Sequence, residues 1–201
     1  MRDTITLLPP IDVPPRRLRS MRQIQTAALE LFEKHGFDAV TVGDIAAAAE
    51  VSPPTVYRQF GTKEQLVLWD EYDPQIYAAI RQRLAVEPPL AAVRHGLIEV
   101  FDIIYADDAA RIRQRSRLTL STAGLRAASA AGMTRMRRDL ANMLMESPFI
   151  GGRFNAEILA ATLTSVFEVT AEEWLRTPGP SSLRAIFDEV FERLPQLISL
   201  E

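Results

Sequence analysis

Tyr57, Arg58, Gln59 and Lys63 fall within seven residues of one another, directly behind Ser52, Pro53, Pro54 and Thr55. A phenol, a guanidinium and an ammonium gathered on one short stretch suit the surface of a DNA duplex. Hydroxyls and ammonium groups meet phosphate oxygens and position a protein without reading sequence. Arg58 can pair bidentately with guanine, a contact worth roughly 1–3 kcal/mol of discrimination; a phosphate or solvent contact suits it equally. Pro53 and Pro54 remove two N–H donors that a helix start would offer to phosphate, and they present apolar rings suited to a thymine methyl.

Such side chains reach base edges only from a short helix held at a fixed angle on an apolar platform. The segment Thr41–Phe60, TVGDIAAAAEVSPPTVYRQF, has that pattern. Thr41 caps one helix, with Asp44 at the capping-box spacing, and is counted with the DNA contacts. Ile45, Ala46 and Ala49 face inward. Ser52 caps the next helix, Pro53 takes the first-turn position, and Val56 and Phe60 form its buried side. The platform begins with a helix over Ser20–His35, whose Ile24, Ala27, Ala28, Leu31 and Phe32 share one face. Gly36 ends it. Arg16, Arg17, Arg19 and Arg22 cluster at its start, either as an approach to phosphate or as a solvated helix end.

Four prolines in residues 1–15 predict an extended arm. A fourth helix begins near Thr62, runs through Leu66 and Trp69, and is ended or kinked at Asp73 by Pro74. Further helices are expected at 89–105, 107–121, 122–146, 155–176 and 181–199, separated at Asp107–Asp108, Thr122, Pro148–Gly152 and Thr177–Ser182. No stretch alternates like a strand, so the fold class is all-α.

The chain has 201 residues, 47% hydrophobic and 24% charged, in keeping with a globular protein of one or two domains. With no Cys, disulfides and thiolate chemistry are excluded. No apolar run has the length of a membrane span and no export signal opens the chain, so a cytoplasmic location without membrane partners is expected. Net charge is -3, and through Lys63 eight bases face seven acids, so any DNA affinity comes from local placement.

Catalysis is not expected. Neither histidine, His35 or His95, has a Glu three residues before it, His95 and Glu99 make only a lone pair one turn apart, and the nucleophile-elbow, zinc and phosphate-loop motifs are absent. No cofactor or metal is implied. The last two helices carry long apolar stripes, Leu183, Ile186, Phe187, Val190 and Phe191 among them. A four-helix interface with a second copy would cover them and give the two-fold symmetry a palindromic site requires. A rival reading is a helical protein-binding adaptor that has lost DNA binding. Salt-dependent affinity for a duplex separates the two.

The spaced set Ile24, Ala27, Ala28, Leu31, Phe32, Gly36, Phe37, Thr41, Ile45, Ala46, Val51, Ser52, Thr55, Tyr57, Phe60, Lys63 and Leu66 resembles the tetracycline-repressor (TetR) family over Arg19 to about Leu66. That resemblance implies a helix-turn-helix domain (16–65) behind the arm, then an effector-binding and dimerisation domain (66–201). It implies a repressor that binds a double-stranded DNA operator as a homodimer and is released by a small effector. By position, Thr55, Tyr57 and Lys63 would contact phosphates, and Pro53, Pro54, Arg58 and Gln59 would lie toward the bases. The sequence departs from the family at Glu50, where Gly is usual, and at Pro53–Pro54. If Glu50 needs a positive φ it is strained by on the order of 1 kcal/mol.

The effector pocket is expected within 90–176. Its candidates are the aromatic residues Phe101, Tyr105, Phe167 and Trp174, with Met133, Met136, Leu118 and Met143. Arg115 stands in the alternating run Arg111, Arg113, Arg115, Arg117. One or more of these arginines would receive an anionic ligand, or else an inward one pairs with Glu99, Asp102, Glu168 or Glu172. The segment RSRLTLSTAGLRA resembles a TetR subgroup that includes mycofactocin-type regulators, for which an acyl-CoA-like effector is implied.

Overall fold

A computed structural model describes residues 14–177 and 183–198, without the side chains of 104–107 and 197–198. Among the described residues there are nine α-helices and no strand. The arm expected over 1–15 lies outside the described residues except for Pro14 and Pro15.

Helix α1 spans Pro15–His35 and so starts five residues before Ser20. Pro15 sits in its first turn, where the missing N–H would have no intrahelical partner in any case. Gly36, at φ 82°, stops α1, and its N–H closes on the Phe32 carbonyl at 2.9 Å.

Helix α2 (Val42–Ala48) is opened by the expected capping box. The Asp44 N–H donates to Thr41 Oγ1 at 3.2 Å, and the Thr41 N–H donates to Asp44 Oδ2 at 2.8 Å. The Thr41 side-chain and backbone hydrogen bonds hold the Asp44 carboxyl below its ordinary value. The stabilisation is therefore present at neutral pH and is lost as pH falls through the depressed folded-state value. Thr41→Ala is expected to cost about 1 kcal/mol in a urea titration at pH 7. The cost should shrink in acid, once Asp44 is protonated.

Helix α3 spans Pro53–Phe60 and α4 spans Lys63–Leu68, the latter capped by the Thr62 side chain. Pro74 does not end α4. It lies in the first turn of α5 (Asp73–Leu84), a position that accepts proline. Helix α6 runs unbroken over Pro89–Ser121, so the break expected at Asp107–Asp108 does not occur. Aspartate lowers helix propensity by less than about 1 kcal/mol, far from the cost of a proline. Helices α7 (Ala123–Met145), α8 (Arg153–Arg176) and α9 (Leu183–Ile198) follow near their expected bounds.

The chain forms two compact units. One contains Asp12–Glu71 with Asp108–Gly132, the other Tyr72–Asp107 with Met133–Glu201. The long helices α6 and α7 thus contribute one end to each. In the first unit Ile24, Ile45, Leu66, Val67 and Leu125 are essentially excluded from solvent. Residues on both sides of position 65 therefore share one core. In the second unit Phe187 is the aromatic centre, 5.1 Å from Phe101, 5.5 Å from Phe167 and 6.3 Å from Phe191 between ring centroids. Gly96 lets α6 approach α5, for a Cβ there would lie 3.0 Å from the Ile80 backbone nitrogen.

Candidate DNA-binding face and effector cavity

The turn between α2 and α3 is built on Glu50. Its φ of 54° makes it the one non-glycine residue of positive φ among the described residues. The Val51 N–H reaches back to the Ala46 carbonyl at 2.9 Å and the Glu50 N–H to the Ala47 carbonyl at 3.2 Å. This pair of bonds is the Schellman arrangement, which ends a helix with a left-handed residue. Glutamate there keeps the hydrogen bonds and carries the strain of its Cβ. Glu50→Gly is expected to raise stability by roughly 1 kcal/mol, seen as a higher urea midpoint at unchanged slope.

Helix α3 presents Pro53, Pro54, Tyr57 and Arg58 to solvent, with Tyr57 55% exposed. Val56 and Phe60 are buried beneath it. Ser52 does not cap α3 through its side chain, as had been expected. Pro53 and Pro54 have no N–H to receive, and the Thr55 N–H already donates to the Ser52 carbonyl at 2.9 Å. The Ser52 hydroxyl is instead 2.9 Å from the Thr55 hydroxyl. Arg58 leans on that hydroxyl at a long 3.4 Å, a contact weak enough to release.

Like the Thr55 hydroxyl, three further expected DNA contacts are engaged within the protein. The Gln59 amide donates to Ser20 Oγ on α1 at 3.1 Å and the residue is half-buried, which turns it away from the face shown by Tyr57. Lys63 Nζ donates to the Phe37 and Val40 carbonyls at 2.6 and 2.9 Å and lies 4.2 Å from the Phe37 ring centroid. It fastens the loop between α1 and α2, with one of its three donors left for phosphate. The Thr41 hydroxyl donates to Asp44 Oδ2 at 2.6 Å, so its capping role uses it. Arg16, Arg17 and Arg19 are exposed on the first turns of α1. Arg22 is held by Glu71, with Nε at 3.1 Å and Nη2 at 2.6 Å.

The arginines of α6 form a second structure in the same unit. Arg111 bonds Asp108 and Glu71 through Nη2, and its Nη1 donates to Gln25 Oε1 at 2.7 Å. Arg115 pairs with Asp70 and donates to the Trp69 carbonyl at 2.6 Å. Glu71 is 3% exposed. These partners replace the expected pairings with Glu99, Asp102, Glu168 or Glu172, and Arg115 does not line the cavity described next. Its charge secures the segment that follows α4.

The cavity lies in the second unit and offers about 60 Å³ to the centres of water molecules. Helix α5 gives it Asp73, Ile76, Tyr77 and Ile80, and α6 gives Val93 and Leu97. Met136 and Leu140 come from α7, with Leu163, Thr164 and Phe167 from α8 and Phe187 and Phe191 from α9. Of the expected ligand contacts, Met136 and Phe167 are in the wall. Phe101 and Trp174 are buried in the core instead, and Met133 is half-buried outside the wall. The Tyr105 side chain lies outside the described residues. The wall residues of α5 are not expected from the sequence because Pro74 reads as a terminator, yet Ile76, Ile80 and Leu84 at four-residue spacing carry a helical signal.

Among the described residues no group of three or more His, Cys, Asp or Glu could hold a metal ion. No described helix is long and apolar enough to cross a membrane.

A short exposed helix on a capped partner, with a separate apolar cavity among later helices, defines a helix-turn-helix regulator. The model of bacterial regulatory proteins of the tetR family matches residues 24–68, and that of the MftR C-terminal domain matches residues 87–198. The chain belongs to the TetR family of DNA-binding transcriptional regulators, with a C-terminal part of the MftR type. It is 31% identical over 169 residues to the HTH-type transcriptional regulator TcmR of Streptomyces glaucescens, covering 79% of this chain and 75% of TcmR. It is 28% identical over 194 residues to a Mycobacterium tuberculosis protein named as the mycofactocin biosynthesis transcriptional regulator MftR, covering 90% and 94%. Among solved structures, Thermus thermophilus FadR, a TetR-family repressor in complex with lauroyl-CoA, aligns with a TM-score of 0.53 at 23% identity, covering 90% of this chain and 96% of that one.

Proposed function

We propose that this regulator represses by binding a palindromic operator as a homodimer in the cytoplasm, and that a small apolar or amphipathic effector releases it. In this reading 16–65 carries the DNA contacts, and effector binding and dimerisation fall to 66–201. The observation that carries the DNA half is the solvent-facing Tyr57 and Arg58 on a helix whose other side, Val56 and Phe60, is buried. Arg16, Arg17 and Arg19 add a cationic approach. The effector half is supported by the apolar cavity.

The homodimer is supported by α8 and α9. Phe154, Ile158 and Val169 stand exposed along one face of α8. On α9, Leu183, Phe187 and Phe191 are buried, while Ile186, Val190 and Leu194 form a half-buried second edge. An acyl-CoA is one candidate effector, in line with the lauroyl-CoA held by Thermus FadR. Its acyl part would suit the apolar wall. Arg115, the residue expected to receive its anionic part, is committed to Trp69 and Asp70.

Binding to genomic duplexes retained by the protein, titrated with salt, tests the reading. Affinity should fall linearly in log–log form as phosphate contacts release counterions. Tyr57→Ala should weaken binding about tenfold on every duplex, since losing a hydrogen bond to a charged group costs roughly 1.5 kcal/mol. Absence of salt-dependent duplex binding would favour the adaptor reading instead.

A further inference from the structure

The cavity wall bears on which effector can enter, and so deepens the release reading above and rests on it. Room of about 60 Å³ for water centres is several times the roughly 10–15 Å³ at which a single water fits. That is the bulk of a small ring or a short chain. Among the described residues no Lys, Arg or His lines it. An anionic group brought inside would lose its hydration with no cation in the wall to replace it.

Three of the described wall residues carry polar side chains. The Thr164 hydroxyl is used within its own helix, donating to the Ala160 and Ala161 carbonyls at 2.9 and 3.1 Å. Asp73, in the first turn of α5, already takes part in other interactions. Tyr77 remains. It is half-buried, and among the described residues its hydroxyl has no hydrogen-bond partner. Burial first, then the charges of Asp73 and Asp139, push its pKa up to about 12, so at neutral pH it is a phenol and can donate.

We infer that the cavity takes a compact, uncharged, apolar molecule bearing one oxygen, and that the Tyr77 hydroxyl donates a hydrogen bond to that oxygen. The apolar wall from Ile76, Ile80, Leu97 and Leu163 takes the hydrocarbon part. Tyr77 sets its orientation.

The test is a titration of the full-length protein with hexan-1-ol, hexanoate, hexylammonium and hexanoyl-CoA, read at the Met136 methyl resonance. That signal is assigned by its loss in Met136→Leu. Hexan-1-ol should shift the signal saturably, and the three charged probes should bind at least about tenfold more weakly. Tyr77→Phe, which keeps the ring and the packing, should weaken hexan-1-ol about fivefold and leave the charged probes unchanged. A charged probe that matches or beats the alcohol overturns the inference, as does an unchanged alcohol affinity in Tyr77→Phe. Operator release is measured separately. Hexan-1-ol that saturates Met136 without releasing DNA leaves this site standing and overturns the release reading. An acyl-CoA that releases DNA without moving Met136 places release at another site, which overturns the cavity as the release site.

Discussion

Arg111→Leu is expected to destabilise the protein by about 3 kcal/mol or more, because removing one partner strands buried charge. In a chain of 201 residues this corresponds to a fall in Tm of roughly 6–12 °C. Glu71 is nearly excluded from solvent and accepts from both Arg22 and Arg111. Arg22 is half-exposed and cannot compensate the buried carboxylate by itself. Arg111 also serves Asp108 and Gln25, so one substitution leaves three acceptors short. Burial works to lower the Arg111 pKa, but hydrogen bonds and charge from Asp108 and Glu71 hold it above the usual guanidinium value. Arg111→Lys should recover only part of the loss, since an ammonium cannot reproduce the planar fork. The double variant Arg111→Leu with Glu71→Leu should be more stable than Arg111→Leu alone, because removing both charges removes the unmet desolvation. An Arg111→Leu protein that melts within a degree of the parent would refute the importance given to this network.

Val169→Arg addresses the homodimer. Val169 is 61% exposed and shares a face of α8 with Ile158 and Phe154, so the change should leave the folded chain intact. If α8 packs against a second copy, two arginines brought across the two-fold axis repel, and their long side chains prevent close packing. The expected result is a monomer by analytical ultracentrifugation with unchanged far-UV circular dichroism. Affinity for a two-half-site operator should fall by about 100-fold or more, since the second half-site loses its effective concentration. Affinity for a single half-site should hardly change. A dimeric Val169→Arg protein with full operator affinity would place the interface elsewhere.

The helix-turn-helix was legible because its signals are local. Thr41 with Asp44, the inward Ile45 and Ala46, and Pro53 in a first turn depend on neighbours within four residues. The positive φ at Glu50 is suggested by the glycine usual there in the family rather than by a local signal. What escaped the sequence depends on distant partners. Nothing near Gln59 announces Ser20, and nothing near Lys63 announces the Phe37 and Val40 carbonyls. The alternating arginines of α6 showed that charge had to be matched, but their acids, Glu71 and Asp70, come from a segment about 40 residues away. The stripe on α9 was read as one surface, whereas its two edges have different roles: Phe187 and Phe191 line the cavity, while Val190 and Leu194 remain half-exposed.

Pro53 and Pro54 also act before any DNA arrives. An isolated helix of eight residues does not hold together in water. Each proline fixes its own φ near the helical value, which narrows the unfolded ensemble and lowers the entropy lost on ordering α3. Part of the ordering cost that a flexible recognition helix would meet at the operator is thus met at folding. The protein gives up two amide donors and in return holds its reading helix pre-shaped, so binding should owe more to a slow departure than to rearrangement on arrival.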